Sequence, residues 1–412
     1  MAEELGNVPI KVFGIGGGGV NAINTMIASG LTGVEFIAAN TDAQNLLLSE
    51  ADVKLNIGVE ISSGEGIGGD PEKGREATVA HTDEIKKVLE GARLVLITTG
   101  EGGGTGSGGA PVVAKISKEM GILTIGVVTT PFSLELEQRM NVAKKGVEEL
   151  RKEVDALMVI SNDKLLNLGD ENLDYDSGLK MADNILHTCV EAVTEVIHKH
   201  YTPNIDFRDI DRISRSIGTL LIGIGRATGD DRGSKAVMNA LQSPLLDDRI
   251  SEASGVVVGI QSSSNFLMTE IKDLVKPLEK ILKKDAWFKF GRAVDEELGD
   301  EVKVIIIASG FETKENPYKA IYDEPSRKSS SLDNIPIIEP LNSGSGPSIP
   351  NMTGGINIVG SEHRELHEET ATEAIEVPDS SSNKAVSSDE DNNKVSSSSL
   401  NIPPFLNELD KE

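Results

Sequence analysis

The sequence contains a single cysteine, Cys189, and only 3% aromatic residues. One cysteine excludes a disulfide within the chain, and its helical apolar pattern with Leu186 and Val193 predicts a buried small side chain rather than a catalytic thiol. The opening residues MAEELGNVP lack the charged and apolar regions of a secretory signal. No apolar run approaches the roughly 18 residues of a membrane span. We therefore expect a cytosolic protein without direct membrane insertion.

Basic residues are also scarce. Lysine and arginine number 40 against 66 aspartate and glutamate residues, so the formal net charge is −26 at pH 7. Residues 326–412 alone hold 15 acidic and 6 basic side chains. Binding to a phosphate backbone or to an anionic membrane surface requires a basic face. The composition therefore argues against nucleic acid and lipid headgroups as partners.

The composition changes after Tyr322, where Ser, Asn, Pro and Glu predominate and Phe405 is the only later aromatic residue. Such a segment cannot bury enough apolar area to offset the entropy of ordering. We expect a disordered acidic linker over residues 323–395. The segment 396–412 follows, with an apolar cluster sized for a partner's groove. A frayed end with chance hydrophobic residues is the alternative.

Between residues 11 and 160, short apolar runs alternate with helical patterns, as in a parallel α/β sheet. A long amphipathic stretch, 177–200, predicts a central helix, and a second α/β alternation follows it. The predicted strands are 11–13, 34–39, 94–98, 124–128 and 156–160, then 219–224, 255–260 and 302–308, with later helices at 233–242 and 268–284. We therefore expect an N-terminal α/β domain (1–176), a central helix and loop (177–210) and a smaller C-terminal α/β domain (211–322).

The first predicted strand runs into a glycine-rich segment, 14–19, and then into a helix starting near Asn21. Backbone N–H groups and a helix N terminus would face whatever binds there, which predicts an anion site. The segment also satisfies G-x-G-x-x-G, and Asp42 stands where a dinucleotide site has an acidic residue. On this segment alone, a dinucleotide-dependent oxidoreductase stays open.

A second glycine-rich segment, 100–109, precedes Pro111, which is placed to open a helix. A third, 64–69, precedes Pro71. We expect all three at strand-to-helix junctions, where they would surround a triphosphate better than a dinucleotide. Neither main segment ends in the G-K-[ST] of a Walker motif. Phosphate charge would then be met by N–H dipoles, hydroxyls such as Thr105 and a bound cation, which implies Mg²⁺ held mainly through phosphates and water.

These motifs together resemble those of a known family. The segment GGTGSG at 103–108 resembles the tubulin signature, and GIGGGGVNAIN, NTDAQ, VVTTPF and SNDKLL are similar to the tubulin/FtsZ family. The resemblance extends over residues 11–311. It implies the tubulin/FtsZ fold with a Rossmann-like parallel-sheet GTPase domain and GTP or GDP with Mg²⁺. It also implies a homopolymer of head-to-tail protofilaments that forms the division ring at mid-cell.

The resemblance further implies roles for individual residues. Asp183 would accept hydrogen bonds from guanine, because a carboxylate takes both N–H donors of that base and finds no matching pair on adenine. Without the resemblance, Asp183 is more typical of a polar helix surface. Leu179 replaces a phenylalanine common in the family, so aliphatic packing would replace stacking on the base. The implied nucleotide-binding residues are Gly17, Gly18, Gly19, Val20, Asn21, Gly68, Gly69, Gly104, Thr105 and Gly106 for the phosphates, Glu135 and Arg139 for the ribose region, and Asp183.

The glycine segments offer no evident water-positioning side chain except Glu101. Residues 204–209, NIDFRD, match the N-x-D-x-x-D of the family's synergy loop, which is inserted over the next subunit's nucleotide. The resemblance implies that Asp206 and Asp209 polarise the attacking water and that Asn204 helps to place it. By spacing alone, either aspartate equally well caps a helix beginning near residue 210. A nucleotide-binding scaffold without turnover is the remaining alternative.

Two departures from the family pattern adjoin this loop. Residues 200–203, HYTP, replace a Pro-Gly followed by two apolar residues, and Arg208 stands where a small residue is common. We expect the bulkier approach to alter turnover or filament contacts. Arg208 would add positive charge beside a neighbour's phosphates.

The end of the chain carries one more resemblance. Residues 401–406, NIPPFL, are similar to the family's C-terminal peptide. The resemblance implies capture of this peptide by membrane adaptors and other division proteins.

Overall fold

The structure is a computed structural model, and it describes residues 8–166, 174–215, 218–243, 245–246 and 248–311. The strands are β1 (Ile10–Ile15), β2 (Val34–Asn40), β3 (Val53–Asn56), β4 (Leu94–Gly100), β5 (Leu123–Thr130), β6 (Ala156–Ser161), β7 (Gly218–Ala227), β8 (Gly255–Ser262), β9 (Trp287–Val294) and β10 (Val302–Ser309). They form one sheet in the order β3-β2-β1-β4-β5-β6-β7-β10-β8-β9.

Strands β1 to β6 pair in parallel. Their sequences are nearly continuous apolar runs because helices cover both faces of the sheet. The helices of this part are α1 (Gly16–Ala28), α2 (Ala43–Leu47), α3 (Val59–Ser62), α4 (Pro71–Ala80), α5 (Thr82–Leu89), α6 (Gly104–Glu119), α7 (Leu136–Glu153) and α8 (Asn162–Leu166). Since the strands share one direction, the loops that follow them meet at one edge of the sheet, here called the carboxyl edge. The opposite edge is called the amino edge.

The predicted central helix is confirmed as α9 (Tyr175–His198). Its apolar stripe, which includes Ile185 and Val193, packs into the same core as Val20 of α1. With 24 residues, the helix is about 36 Å long. At its C-terminal end, the His198 ring lies 3.1 Å from the carbonyl oxygen of Val8, just before β1. Helix α9 therefore ends at the amino edge of the sheet.

The smaller C-terminal α/β part is also confirmed. It contains α10 (Phe207–Ser214), α11 (Arg232–Leu241) and α12 (Met268–Ile281). Strand β10 pairs antiparallel with β7 and β8, and β9 adds in parallel to β8. Two residue pairs, Ala156↔Gly218 and Leu157↔Thr219, join β6 to β7 and make the sheet continuous.

The structure corrects three expectations about the glycine segments. Helix α1 begins at Gly16 rather than near Asn21, and α6 begins at Gly104 with Pro111 inside it rather than at its start. The third segment lies between α3 and α4, not directly after a strand. The reason is close packing: a Cβ on Gly104 would lie 2.7 Å from the backbone nitrogen of Asp70. Gly104 is therefore a helix residue that lets the neighbouring backbone approach.

Two strands were not predicted. Strand β3 has only four residues. Strand β9 is the last strand in the sheet order, and its charged residues Lys289 and Arg292 obscure its apolar pattern. The predicted linker (323–395) and C-terminal peptide (396–412) lie outside the described residues. Within the described part of the chain, no helix has the length and apolarity needed to cross a bilayer.

Candidate functional site

The first two glycine segments meet at the carboxyl edge. A Cβ on Gly16 would lie 2.9 Å from the nitrogen of Gly106, and one on Gly18 would lie 3.0 Å from the nitrogen of Gly100. The N termini of α1 and α6 are therefore in contact at their backbones. Because the first N–H groups of a helix have no partner within it, this junction concentrates donors suited to an anion.

The third glycine segment lies against the second. Residues Gly69 and Asp70 are in close contact with Gly104, and Gly74 of α4 packs on the same residue. Asp70 caps α4 by accepting a hydrogen bond from the nitrogen of Glu72 at 3.0 Å. The structure thus brings together the three glycine segments predicted to surround the phosphates.

Four of these glycines face open space. A Cβ on Gly17, Gly103, Gly68 or Gly69 would meet no other atom within 4 Å. Gly68 and Gly69 have φ values of 62° and 81°, which favour glycine. Gly17 and Gly103 have neither a positive φ nor a crowding neighbour, so the fold itself does not require glycine there. Room for a closely bound ligand explains them. These four glycines and the N termini of α1 and α6 are here called the glycine cradle, and its open space fits a phosphate chain.

Thr105 has a partner that the sequence analysis did not identify. Its hydroxyl oxygen lies 2.6 Å from that of Thr41, and both residues are buried. Thr41 directly follows β2 at the carboxyl edge, which is the signal that could have marked it. Its neighbour Asp42 caps α2 by accepting from the nitrogens of Gln44 and Asn45. Asp42 therefore has a structural role as the N-cap of α2.

Glu101, the only carboxylate of the second glycine segment, points away from the cradle. Its side chain is packed against Gly146 of α7 and beside Ser107 of α6, and the residue is 3% exposed. Neither carboxylate oxygen has a hydrogen-bond partner among the described residues. Burial raises the pKa of Glu101 to about 7. Glu101 is therefore not placed to orient a water on a phosphate.

The buried carboxyl group makes stability pH-dependent. In the unfolded chain Glu101 ionises near its ordinary pKa of 4.5, whereas in the folded chain it ionises near 7. Between these values the folded state binds more protons, so the free energy of unfolding falls as pH rises and then levels off. We expect Glu101→Gln to remove up to about 3 kcal/mol of this dependence. Urea unfolding across that pH range measures it, and parallel curves for parent and variant would contradict the assignment.

Glu135 and Arg139 are paired with each other. Arg139 donates from Nη1 to Glu135 Oε2 at 2.8 Å, and Glu135 also accepts from the nitrogen of Phe132 at 2.9 Å. The Arg139 side chain packs against Gly102. The structure therefore places this ion pair beside the second glycine segment.

Asp183 lies on α9, the helix that packs along α1. Leu179 precedes it by one turn, so the two side chains share a face of the helix, and Leu179 is 38% exposed. The Asp183 carboxylate has no hydrogen-bond partner among the described residues, and burial raises its pKa to about 7. Asn21 is exposed on α1, whereas the Val20 side chain is buried in the core, so Val20 can offer only its backbone.

Asn204, Asp206 and Asp209 are not part of the glycine cradle. The synergy loop (204–209) follows α9 and lies at the amino edge. Arg93, just before β4, stacks over the ring of Phe207 at 4.4 Å from its centroid, and its nitrogen bonds to the oxygen of Pro9 before β1. A cavity of about 640 Å³ beside the loop is lined in part by Val8, Arg93, Asn204, Asp206 and Arg208. Within one chain, the sheet separates the acidic loop from the phosphate cradle.

Both aspartates take part in capping α10. Asp206 accepts from the nitrogen of Arg208 at 2.8 Å, and Asp209 accepts from the nitrogen of Asp206 at 2.9 Å. The helix begins at Phe207, three residues earlier than expected. The capping alternative is therefore confirmed, and it leaves room for a further role. Asn204 lies 3.5 Å from Asp206 through its side-chain amide.

A metal site made of protein carboxylates is not evident. Among the described residues, no group of three or more His, Cys, Asp or Glu side chains is arranged to hold an ion. The buried hydroxyls of Thr41 and Thr105 lie together at the start of α6. This donor set fits a magnesium ion that is held mainly by phosphates and water.

A parallel sheet whose carboxyl edge carries joined helix N termini around an open glycine cradle defines a nucleotide-binding α/β protein. Comparison with known proteins specifies the class. Residues 9–170 match the model of the Tubulin/FtsZ family, GTPase domain, and residues 218–312 match that of the FtsZ family, C-terminal domain.

Solved structures agree with these matches. An FtsZ dimer from M. jannaschii is 38% identical, with a TM-score of 0.68, and the match covers 74% of this chain and 88% of that one. A point mutant of FtsZ from M. jannaschii is 37% identical, with a TM-score of 0.69 and coverages of 75% and 92%. CetZ2 from Haloferax volcanii, at 19% identity and a TM-score of 0.65, shares the fold over 74% of this chain and 94% of its own.

This chain belongs to the FtsZ family and is a GTP-binding GTPase of cytoskeletal type. The dinucleotide oxidoreductase is thereby excluded.

Proposed function

We propose that this protein hydrolyses GTP only after polymerising head to tail, with each active site built from two chains. The glycine cradle of one chain binds the nucleotide, and the synergy loop of the next chain completes the site. The M. jannaschii relative was solved as a dimer, which is consistent with self-association in this family.

One observation carries the proposal. The cradle lies at the carboxyl edge of the sheet, and Asp206 and Asp209 lie at the amino edge, beyond a helix of 24 residues. Side chains at one edge cannot reach a phosphate at the other within the same chain. A second copy stacked in the same orientation would place its amino edge on the first copy's carboxyl edge. Such head-to-tail contacts generate open filaments.

The residues at the cradle bind rather than react. The N–H groups at the starts of α1 and α6 would hold the phosphates together with Gly68, Gly69 and Thr105. Glu135 and Arg139 would hold the ribose region, and Asp183 would accept from guanine. Magnesium, held mainly through phosphates and water, would neutralise phosphate charge. Asp206 and Asp209 of the next chain would then orient water, with Asn204 helping to place it.

We further propose the cellular role that the family implies. The filaments would form the division ring at mid-cell in the cytoplasm, and the segment 396–412 would bind membrane adaptors and other division proteins. The domain boundaries at 176, 210, 322 and 395 are part of the same proposal. The family matches at 9–170 and 218–312 support the division into two folded parts.

The dependence of turnover on protein concentration tests the proposal. Turnover per molecule is expected to be almost absent below a threshold concentration and to rise above it, because a single chain lacks half of the site. Phosphate release and light scattering, recorded together over a dilution series with GTP, measure both the rate and the polymer. A constant turnover per molecule down to the lowest dilution would contradict a two-chain site.

A further inference from the structure

Strand β9, which the sequence analysis missed, supports the synergy loop and α10. Its alternate residues Trp287, Lys289 and Gly291 share one face because side chains alternate along a strand. The guanidinium of Arg212 on α10 lies 4.9 Å from the centre of the Trp287 ring. Gly291 is in close contact with the backbone oxygen of Pro203. This face of β9 therefore carries the loop and the first turns of α10.

The segment that leads into the loop is also joined to β9 through its backbone. The nitrogen of Thr202 donates to the oxygen of Arg292 at 2.8 Å, and the nitrogen of Arg292 donates back at 3.0 Å. Tyr201 and Ile205, on either side of this pair, are 1% and 2% exposed. The unusual approach residues 200–203 thus anchor the loop firmly to β9. A side chain on that strand can be held in a fixed place relative to the loop.

Lys289 is the charged residue on this face. Its ammonium lies 2.6 Å from Asp209 Oδ2, with the two side chains 30% and 12% exposed. The same Asp209 oxygen accepts from the nitrogen of Asp206 at 2.9 Å. No hydrogen bond to the other oxygen, Oδ1, is present among the described residues. Lys289 therefore fixes one oxygen of Asp209 and leaves the second available.

We infer that Lys289 is a positioning residue for GTP hydrolysis, which holds Asp209 in place and offsets its charge where the synergy loop meets the next chain's terminal phosphate. The inference rests on the proposed function, because it assigns Asp209 to a site shared by two chains. Strand β9 thereby becomes part of the catalytic apparatus.

The charge of the loop supports this assignment. Two carboxylates brought against a triphosphate would repel it, since like charges in a partly buried interface interact strongly. Lys289 and Arg208 balance Asp206 and Asp209, so that the four side chains sum to zero formal charge. Arg208 is exposed and forms no ion pair among the described residues. Lys289, unlike Arg208, contacts a carboxylate, so Lys289 is the residue that sets the position of Asp209.

Three substitutions test the inference. Lys289→Met removes the charge, Lys289→Gln keeps a hydrogen-bond donor without charge, and Lys289→Arg keeps the charge. Turnover per polymerised chain is expected to fall by about 10- to 100-fold in the Met and Gln variants, because small misplacements at a reacting group have effects of this size. The affinity for GTP and the amount of polymer should stay near the parent's. Lys289→Arg should retain most of the activity.

A chemical rescue separates positioning from mere support of the fold. In Lys289→Ala, added ethylammonium is expected to restore part of the turnover, whereas tetramethylammonium, which cannot donate a hydrogen bond, should not. Lys289→Gln keeps the test decisive if the methionine variant does not fold. Loss of activity only in proportion to lost polymer would overturn the inference and indicate a structural ion pair.

The inference and the proposed function can fail separately. If Asp209→Ala abolishes turnover but the Lys289 variants are as active as the parent, the positioning role is wrong and the two-chain site stands. If neither Asp209 nor Lys289 affects turnover, the proposed function itself is wrong.

Discussion

Replacing Asp209 with alanine is expected to slow GTP turnover by about 100- to 10,000-fold, the usual contribution of a group that acts on the attacking water. GTP binding should be unchanged, because Asp209 lies at the amino edge and the cradle lies at the carboxyl edge. Equilibrium binding of GTP to dilute protein and phosphate release from assembled protein measure the two effects.

Asp209 also has a structural role, so the alanine variant needs a control. It accepts from the nitrogen of Asp206 and from Lys289, and loss of a helix cap costs about 1 kcal/mol. Asp209→Asn retains an oxygen for the cap but loses the charge. It is expected to stay near the parent in stability and near the alanine variant in turnover. An asparagine variant with parental turnover would show that capping, not chemistry, is the function of Asp209.

Replacing Asp183 with asparagine is expected to exchange GTP for XTP as the preferred nucleotide. An ionised carboxylate accepts from both N–H donors of guanine, whereas an amide offers one acceptor and one donor. Xanthine presents a donor beside a carbonyl oxygen, so its pattern matches the amide. Because a site built for one hydrogen-bond pattern rejects the wrong one strongly, GTP affinity should fall by at least about 100-fold. Competition between the two nucleotides for parent and variant measures the exchange.

The pH dependence of binding provides an independent check on Asp183. Burial raises its pKa to about 7, so below that pH the carboxyl is protonated and must lose its proton to accept both guanine donors. GTP affinity of the parent should therefore fall as pH drops below 7. XTP binding by Asp183→Asn should not follow that curve. If the variant loses affinity for GTP and for XTP equally, relative to the parent, residue 183 supports the fold and does not recognise the base.

Much of this architecture could be predicted because its signals are local. The strands of the parallel part are apolar runs ended by glycine or polar residues, and the stripe of α9 repeats at helical spacing. The second glycine segment distinguished a phosphate chain from a dinucleotide, since it adds a second helix N terminus to the same edge. Each of these features depends on residues that are close in the sequence.

The remainder depended on contacts between distant residues. Glu101 lies in the second glycine segment and Asp209 in the synergy loop, and each carries a carboxylate. Glu101 is buried against Gly146, so it is not placed to orient a water on the phosphate. Strand β9 contains charged residues because Lys289 pairs with a helix that lies 80 positions earlier in the chain. The sequence analysis predicted a loop for the glycines at the start of α6, because their contact with Asp70 cannot be inferred from the sequence.

The separation of the two halves of the site came only from the topology. No sequence pattern places residues 204–209 at the amino edge. The contact of His198 with Val8 and the stacking of Arg93 on Phe207 do so. That placement turned a family resemblance into a physical argument for catalysis between chains.

Mixing two variants that are each inactive toward GTP tests the central claim most directly. Asp209→Ala binds GTP but cannot complete a neighbour's site, and Asp183→Asn brings an intact Asp209 but binds XTP in place of GTP. An equal mixture, given XTP and γ-labelled GTP, is expected to release labelled phosphate at about one quarter of the parent's rate, since random head-to-tail mixing makes that share of sites complete. If the mixture forms joint polymers and yet releases no more labelled phosphate than either variant alone, the active site is not shared between chains.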